Sequence, residues 1–264
     1  MVRNKIISLL FIFSLFIMAG CEHNPEDDPQ PEHLVTLSFS TMSMSGLLKS
    51  AATVEEDSIE KIILFGVNDQ GAIIKKIIAS TDTLSLSGSQ FNLPKNVISL
   101  YAIANPSAAM ELANPLNITD LMAMTGDFTN APQFPFLMSC ISAVNTTNVN
   151  LEFVRTVAKV NITGLTGFVI DSIRVMNTPS KGYVFDRVNM SVPVSSRISY
   201  SYPTGNPSIY IAESATQNPV EFFVKGKFQN VPDSLTYIIK SGGQIVDIVR
   251  NTYYQGSVGF VFGP

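Results

Sequence analysis

The 264-residue chain contains no tryptophan, only two cysteines (Cys21 and Cys140) and only two histidines (His23 and His33). Two thiols supply neither a disulfide framework nor a Cys-rich zinc module. Both imidazoles lie near the N-terminus, ahead of the patterned body, so a histidine-dependent catalytic triad inside a fold is nearly excluded. Charged residues make up 14% of the chain and hydrophobic ones 45%, a balance that argues against disorder. No spacing resembles a P-loop, a dinucleotide fingerprint, a zinc site or an EF-hand, so neither cofactor nor metal is expected. The paired carboxylates of a glycoside hydrolase are not visible in the linear sequence either, and the chain does not read as an enzyme. A length near 260 accommodates one large domain or two of about 120 residues.

What is present begins with an address. Residues 1–20 carry Arg3 and Lys5, then an apolar run from Ile6 to Met18 and the small pair Ala19-Gly20. That run is shorter than the roughly 20 apolar residues of a membrane-spanning helix and fits a signal peptide. Met18-Ala19-Gly20-Cys21 resembles the bacterial lipobox, in which the cysteine is lipidated and becomes the first residue of the mature chain, here Cys21. Acyl chains on Cys21 anchor such a protein in a membrane. Residues 21–32 follow as a tether: Glu22, Glu26, Asp27, Asp28 and Glu32 alternate with Pro25, Pro29 and Pro31, without a large apolar side chain. Such a segment stays extended.

From His33 onward positive and negative charges nearly balance. The densest basic spots are Lys75-Lys76 and Lys225-Gly226-Lys227, both in strand-like sequence, where alternate side chains point to solvent. No basic stripe offers itself to nucleic acid.

The body reads as strands. Val35, Leu37 and Phe39 alternate with small polar residues in period two, the pattern of a half-buried strand. Lys61–Val67 and Val97–Ala104 are denser, β-branched and aromatic runs expected at the centre of a sheet. Asn68-Asp69-Gln70-Gly71 is a turn signal that makes 61–79 a hairpin. One helix is expected over Ile118–Met124, capped by Thr119 and ended by Gly126, and a weaker turn over Ser107–Leu112. Nine further strands recur from Asn148 to Phe262, separated by turn clusters such as Asn177-Thr-Pro179, Val231-Pro-Asp233 and Ser241-Gly-Gly243. That spacing implies antiparallel sandwiches, with a boundary near Asn150 dividing an N-terminal domain, 33–150, from a C-terminal one, 151–264. Glu55-Glu56-Asp57 reads as a solvated loop, and Cys140 as a buried, unused thiol. Arg155 and Arg250 flank strands and are expected to cap a sheet edge or pair with a carboxylate. Tyr200, Tyr202 and Tyr210 cluster in sequence, as a sugar-stacking surface requires.

Four segments resemble the fimbrillin family, the subunits and anchors of type V pili. They are the lipobox, tether and Val35-Thr-Leu-Ser-Phe39 with Ile59–Phe65; Val97–Pro106 leading to Ile118–Met122; Phe136–Ser139 followed by Leu151-Glu-Phe-Val-Arg-Thr-Val-Ala-Lys-Val160; and Val249-Arg-Asn-Thr-Tyr-Tyr254. The resemblance implies an all-β fold of two tandem transthyretin-like antiparallel β-sandwich domains, with one or two short helices in the first. It also implies an outer-membrane, lipid-anchored protein of the cell surface or fimbrium. Its partners would be other fimbrial subunits, in a homo- or hetero-polymer, and ligands on host or bacterial surfaces.

In such a family a protease removes the first strand and a neighbouring subunit donates a strand to the vacancy, a form of β-augmentation. The removed strand here would be Leu34–Phe39. Lys49, the only basic residue between Lys5 and Lys61, is the candidate cleavage site where many members use Arg; an ordinary loop lysine is an equal reading. Tyr254, Val258, Phe260 and Phe262 share one face of the last strand, which serves either as a donor or as the closing strand of its own domain. Asp-Ser-Ile and Asp-Thr-Leu triplets at Asp57, Asp82 and Asp171, with Asp233-Ser-Leu, look like a bacterial O-glycosylation sequon. The expected function is a fimbrial subunit or anchor that assembles by strand donation and supports adhesion, the alternative a surface glycan-binding lipoprotein.

Overall fold

The computed structural model describes residues 31–45, 53–80, 82, 85, 87–164, 167–187, 192–203 and 208–258. In chain order the elements of the first half are β1 (Glu32–Thr41), β2 (Lys61–Val67), β3 (Ile73–Ser80), β4 (Ser89–Pro94), β5 (Ser99–Ala104), α1 (Ala108–Leu112), α2 (Ile118–Ala123), β6 (Thr125–Asp127), β7 (Met138–Ala143) and β8 (Asn148–Arg155). Then come β9 (Val157–Gly164), β10 (Phe168–Pro179), β11 (Lys181–Tyr183), β12 (Arg197–Pro203), β13 (Ser208–Ala212), β14 (Glu221–Phe228), β15 (Val231–Ile238), β16 (Lys240–Ser241), β17 (Gln244–Ile245) and β18 (Tyr253–Val258). The chain is all-β, with two single-turn helices among its described residues.

One sheet runs β3-β2-β5-β7-β8-β1-β4. β7 and β8 pair only at Met138↔Arg155 and Ser139↔Val154, so the sheet turns over at that seam. The faces of β3-β2-β5-β7 and β8-β1-β4 then close on a shared core of Val35, Leu37, Phe39, Ile62, Leu64, Leu100, Leu151 and Phe153. Burial in β8 alternates strictly over most of its length, as one wet face requires. β2 is buried on both faces instead: Ile63, Phe65 and Val67 meet Tyr101, Ile103, Leu121, Val184 and Phe185 in a separate cluster. The continuous apolar run of its sequence reflects that double burial.

The chain passes to a second group of sheets at Thr156, six residues beyond the boundary expected near Asn150, which lies inside β8. The sheets β12-β10-β14-β15 and β13-β9-β18 enclose Val160, Ile173, Val175, Tyr202, Ile209, Ile211, Phe222 and Val224. Residues from His33 onward form one compact unit. Most pairings are antiparallel, but β1 runs parallel to β8 and β18 parallel to β9.

Local chemistry moved several boundaries. Val231-Pro-Asp233 is not a turn but the start of β15. The hairpin turns at Gln229-Asn230, whose φ values of 49° and 69° join Phe228↔Val231 by a two-residue loop of the kind that matches strand twist. Pro232 is tolerated there because β15 is an edge strand. Asn177-Thr-Pro179 likewise lies inside β10, at a bulge between Val175 and Thr178 where Asn177 adopts φ 59°. The α2 cap is Asn117, whose side chain accepts from the Asp120 amide, and not Thr119. Gln244–Val249 shortens to Gln244–Ile245.

Candidate strand-assembly site

β1 occupies the middle of its layer, between β8 and β4. Val35 and Leu37 are fully buried and Phe39 is 7% exposed. On the other face Ser38 donates to Asn150 Oδ1 (3.0 Å), and the Asn150 amide reaches Ser40 (3.4 Å). At about 25 cal/mol per Å² of apolar area removed from water, three such side chains hold the strand by roughly 5–8 kcal/mol before the ordering cost of the chain.

Past Thr41 the chain leaves this sheet and reaches the start of β18. Ser45 forms a parallel bridge to Thr252: its amide donates to Asn251 O (2.9 Å), and the Tyr253 amide donates to Ser45 O (2.7 Å). Asn251, held at φ 51°, donates its amide to Val157 O (2.8 Å) and its side-chain NH₂ to Ser43 O (3.1 Å). The segment that follows β1 is thus sewn to the Arg250-Asn251-Thr252-Tyr253 stretch near the other end of the chain.

Arg155 ties both sides of the connection together. Its side chain is fully buried and donates to Glu56 O (3.0 Å), Met42 O (2.8 Å) and Asn251 Oδ1 (2.7 Å), and also to Asp57 Oδ1. Met42 lies before residues 46–52, and Glu56 and Asp57 lie after them. The reading of Arg155 as a carboxylate partner holds, but most of its donors serve backbone and amide oxygens.

Glu55-Glu56-Asp57 is not uniformly solvated, because Glu56 is fully buried. Its carboxylate receives Lys159 Nζ (2.7 Å), the Tyr210 hydroxyl and the Thr53 amide (2.9 Å). Burial alone pushes this carboxyl up; the bonds from Lys159, Tyr210 and Thr53 outweigh it and hold Glu56 below the ordinary carboxylate range. Tyr210 moves the opposite way, raised by burial and then by the Glu56 charge. Arg250 makes a second buried centre, donating to Glu213 Oε2 (2.5 Å), Val184 O (2.9 Å) and Tyr183 O (2.8 Å).

The three clustered tyrosines do not form a sugar platform. Tyr202 and Tyr210 are each 6% exposed, and the hydroxyls of Tyr200 and Tyr202 both donate to Tyr210 O (3.2 and 3.0 Å). Tyr200 and Tyr202 pack in the second core and Tyr210 in a separate cluster with Phe128, Phe136 and Val157; burial lifts the Tyr202 hydroxyl to about 12. Cys140 is buried in the first core, its thiol pushed up to about 12 by burial and by Glu152.

Of the remaining residues singled out in sequence, Cys21, Lys49, Phe260 and Phe262 lie outside the described residues. Tyr254 packs against the second core, donates to Asp247 O (2.9 Å) and accepts from the Val249 amide (2.9 Å). Val258 is the last residue of β18, paired with Gly164 of β9. β18 therefore closes a sheet of its own body as far as Val258. Among the described residues no group of three or more His, Cys, Asp or Glu side chains is placed to hold a metal ion.

No family model matches the sequence, and no curated protein does. The fold finds matches among solved structures. The tip fimbrial protein Mfa3 from Porphyromonas gingivalis, with a C-terminal truncation, aligns at a TM-score of 0.61 and 14% identity over 87% of this chain and 96% of that one. A fimbrial assembly protein from Parabacteroides distasonis aligns at 0.60 and 17% over 86% and 91%. A candidate cell adhesion protein from Bacteroides eggerthii aligns at 0.61 and 16% over 88% and 87%. The chain has a fimbrillin-like fold. At these identities the likeness is one of architecture, and the role is argued separately.

Proposed function

We propose that the chain is a cell-surface fimbrial subunit or anchor that assembles by β-strand donation and supports adhesion. The observation that carries this reading is the placement of β1. A terminal strand lies in the middle of a layer, between β8 and β4, with an alternating apolar face sunk in the core. Its removal would leave a one-strand groove with unpaired backbone on both walls and apolar pockets at alternate positions, the geometry that an incoming strand satisfies.

The sequence carries a matching segment. Val258-Gly-Phe260-Val-Phe262 repeats the spacing of Val35-Thr-Leu37-Ser-Phe39, so in a second copy the C-terminal segment would set Val258, Phe260 and Phe262 into the pockets of Val35, Leu37 and Phe39. In this reading Tyr254 stays in its own core, while the end of β18 from Val258 onward leaves its pairing with Gly164 of β9 to be donated. Lys49 is the proposed point of cleavage, and lipidated Cys21 the proposed attachment to the outer membrane. The two groups of sheets, divided at Thr156 instead of near Asn150, are proposed to act as the two sandwich domains. No catalytic role is proposed. The alternative of a surface glycan-binding lipoprotein loses its tyrosine platform, since the three rings pack into two apolar clusters of the body.

Mass spectrometry of protein sheared from cells tests the proposal. A chain starting at Ser50 identifies a polymerising subunit, and a chain retaining acylated Cys21 identifies an anchor. Recovery only as a free, unlipidated monomer beginning upstream of β1 refutes both.

A further inference from the structure

Lys225-Gly226-Lys227 lies on β14, an interior strand of its sheet, and its position there is not a scattered one. β14 pairs with β10 on one side and β15 on the other, and β10 pairs with β12. Their inner faces line the second core. On the outer face the registers build a grid. Arg174 sits between Ser201 and Phe223, Lys225 between Ser172 and Ser234, and Lys227 between Val169 and Pro232. All three cations are exposed. Lys225 and Lys227 recur about 7 Å apart along one strand, and Arg174 stands on the neighbouring strand opposite Phe223, one row along from Lys225 and two rows from Lys227.

Cross-strand neighbours are where a sheet normally sets opposite charges. Here all six direct neighbours of the three cations are uncharged, and among the described residues none of the three forms an ion pair. The acids on or near this face form no ion pair with them among the described residues. Glu221 shares the face, opposite Met176, one row from Arg174 on the side away from Lys225. Asp233 faces Gly226 across the strands, and its carboxylate accepts from the Ser234 amide (2.6 Å). Asp171 is the extra residue of a bulge between Ile170 and Ser172. Phe223 is half-buried with the Lys225 ammonium 5.7 Å from its ring centre, and Ser172, Ser201, Ser234 and Thr236 surround the cations with short side-chain hydroxyls.

We propose that the outward face of the β12-β10-β14-β15 sheet binds an acidic polysaccharide, with Arg174, Lys225 and Lys227 holding its carboxylate or sulfate groups. Phe223 offers a ring for the C–H face of a sugar, and the hydroxyls match a hydroxyl-rich ligand. Three cations and one aromatic on a nearly neutral body make a poor nucleic-acid surface, which needs a longer basic stripe and several stacking rings. This platform lies on a different sheet from β1 and does not depend on strand donation, so the monomer is sufficient to test it.

Calorimetric titration of the purified protein with heparin, polygalacturonate and neutral dextran, repeated over a salt series, is the test. Heparin or polygalacturonate is expected to bind with a log K against log salt slope of about −2 to −3, each Gln variant of Arg174, Lys225 or Lys227 removing about one from its magnitude. Binding by one and not the other identifies the anionic group. Dextran does not bind, and the triple variant loses binding while Lys95→Gln and Lys181→Gln keep it. The triple variant's far-UV circular dichroism is expected to match that of the parent, since all three side chains point away from the core. The proposal is overturned if neither acidic polysaccharide binds at about 50 mM salt, if the triple variant binds like the parent, or if single-stranded DNA or phosphatidylglycerol vesicles bind more tightly through the same three residues.

Discussion

Replacing Arg155 by Met tests the idea that one buried guanidinium holds both ends of the connection that follows β1. The substitution keeps the unbranched stem of the side chain and removes every donor. Glu56 O, Met42 O and Asn251 Oδ1 lose partners at 3.0, 2.8 and 2.7 Å. Left in a dry site, each lost bond costs about 1 kcal/mol or more. Asp57 also loses its partner, but its side chain is 41% exposed, so water replaces much of that interaction and the loss there is at most about 1 kcal/mol. The expected total is about 3–4 kcal/mol, which for a chain of this size lowers Tm by roughly 10 °C. Without tryptophan, unfolding in urea is best followed by circular dichroism. Hydrogen exchange supplies the local signature: the amides of Ser45 and of Thr53–Asp57 should lose protection well before those of β10 and β14. Arg155→Lys is expected to recover less than half, since an ammonium does not reach four acceptors arranged around a planar fork. A loss below about 1 kcal/mol, the size of a surface ion pair, refutes the reasoning.

Other perturbations address the remaining contacts. Leu37→Ala, at a fully buried site in β1, is expected to cost about 2–5 kcal/mol by urea titration; a neutral outcome would mean that β1 is not seated in the core. Glu56 has a folded pKa below its reference value of 4.5, so its contribution is present above that value and fades as pH falls through the lowered one. Glu56→Gln should therefore destabilise the protein at neutral pH and flatten the acid limb of its stability curve, and an unchanged limb would count against an ionised Glu56. Gly226→Ala should abolish soluble expression, because a Cβ there would lie 2.3 Å from Val169 O and 2.7 Å from the Phe168 ring. Cys140, with its thiol near 12 and 8% exposed, should resist maleimide at pH 8 until the protein is unfolded; rapid native labelling would show that the first core opens.

Much of the architecture was legible because each half-buried strand records its own two environments. The alternation in Val35-Thr-Leu-Ser-Phe39 needs no partner to be recognised, and the unbroken run Lys61–Val67 announces burial on both faces. The Gly242-Gly243 turn was readable for the same local reason, since both residues take φ > 0. Turn placement failed where a residue type admits two roles: Pro232 looked like a loop and is an edge-strand proline, while the turn fell to Gln229 and Asn230, a weaker signal. Short strands with few apolar residues, such as Ser89–Pro94, carry too little pattern to be seen. The buried charges were the least legible. Nothing within Glu55-Glu56-Asp57 distinguishes Glu56 from its neighbours, because its partners Lys159 and Tyr210 lie more than 100 positions away.

By itself, then, the sequence determined an all-β body of alternating strands. Periodicity, turn chemistry and composition are local properties, and they survive without knowledge of what packs where. Only the tertiary structure decided that β1 runs parallel to β8 in the middle of a layer, that Arg155 and Glu56 are buried at the junction of its connection, and that three tyrosines pack into apolar clusters. It also decided that Arg174 shares an outward sheet face with Lys225 and Lys227, about 50 residues apart in sequence. Each of those facts depends on strand register, and register couples residues that no local pattern relates.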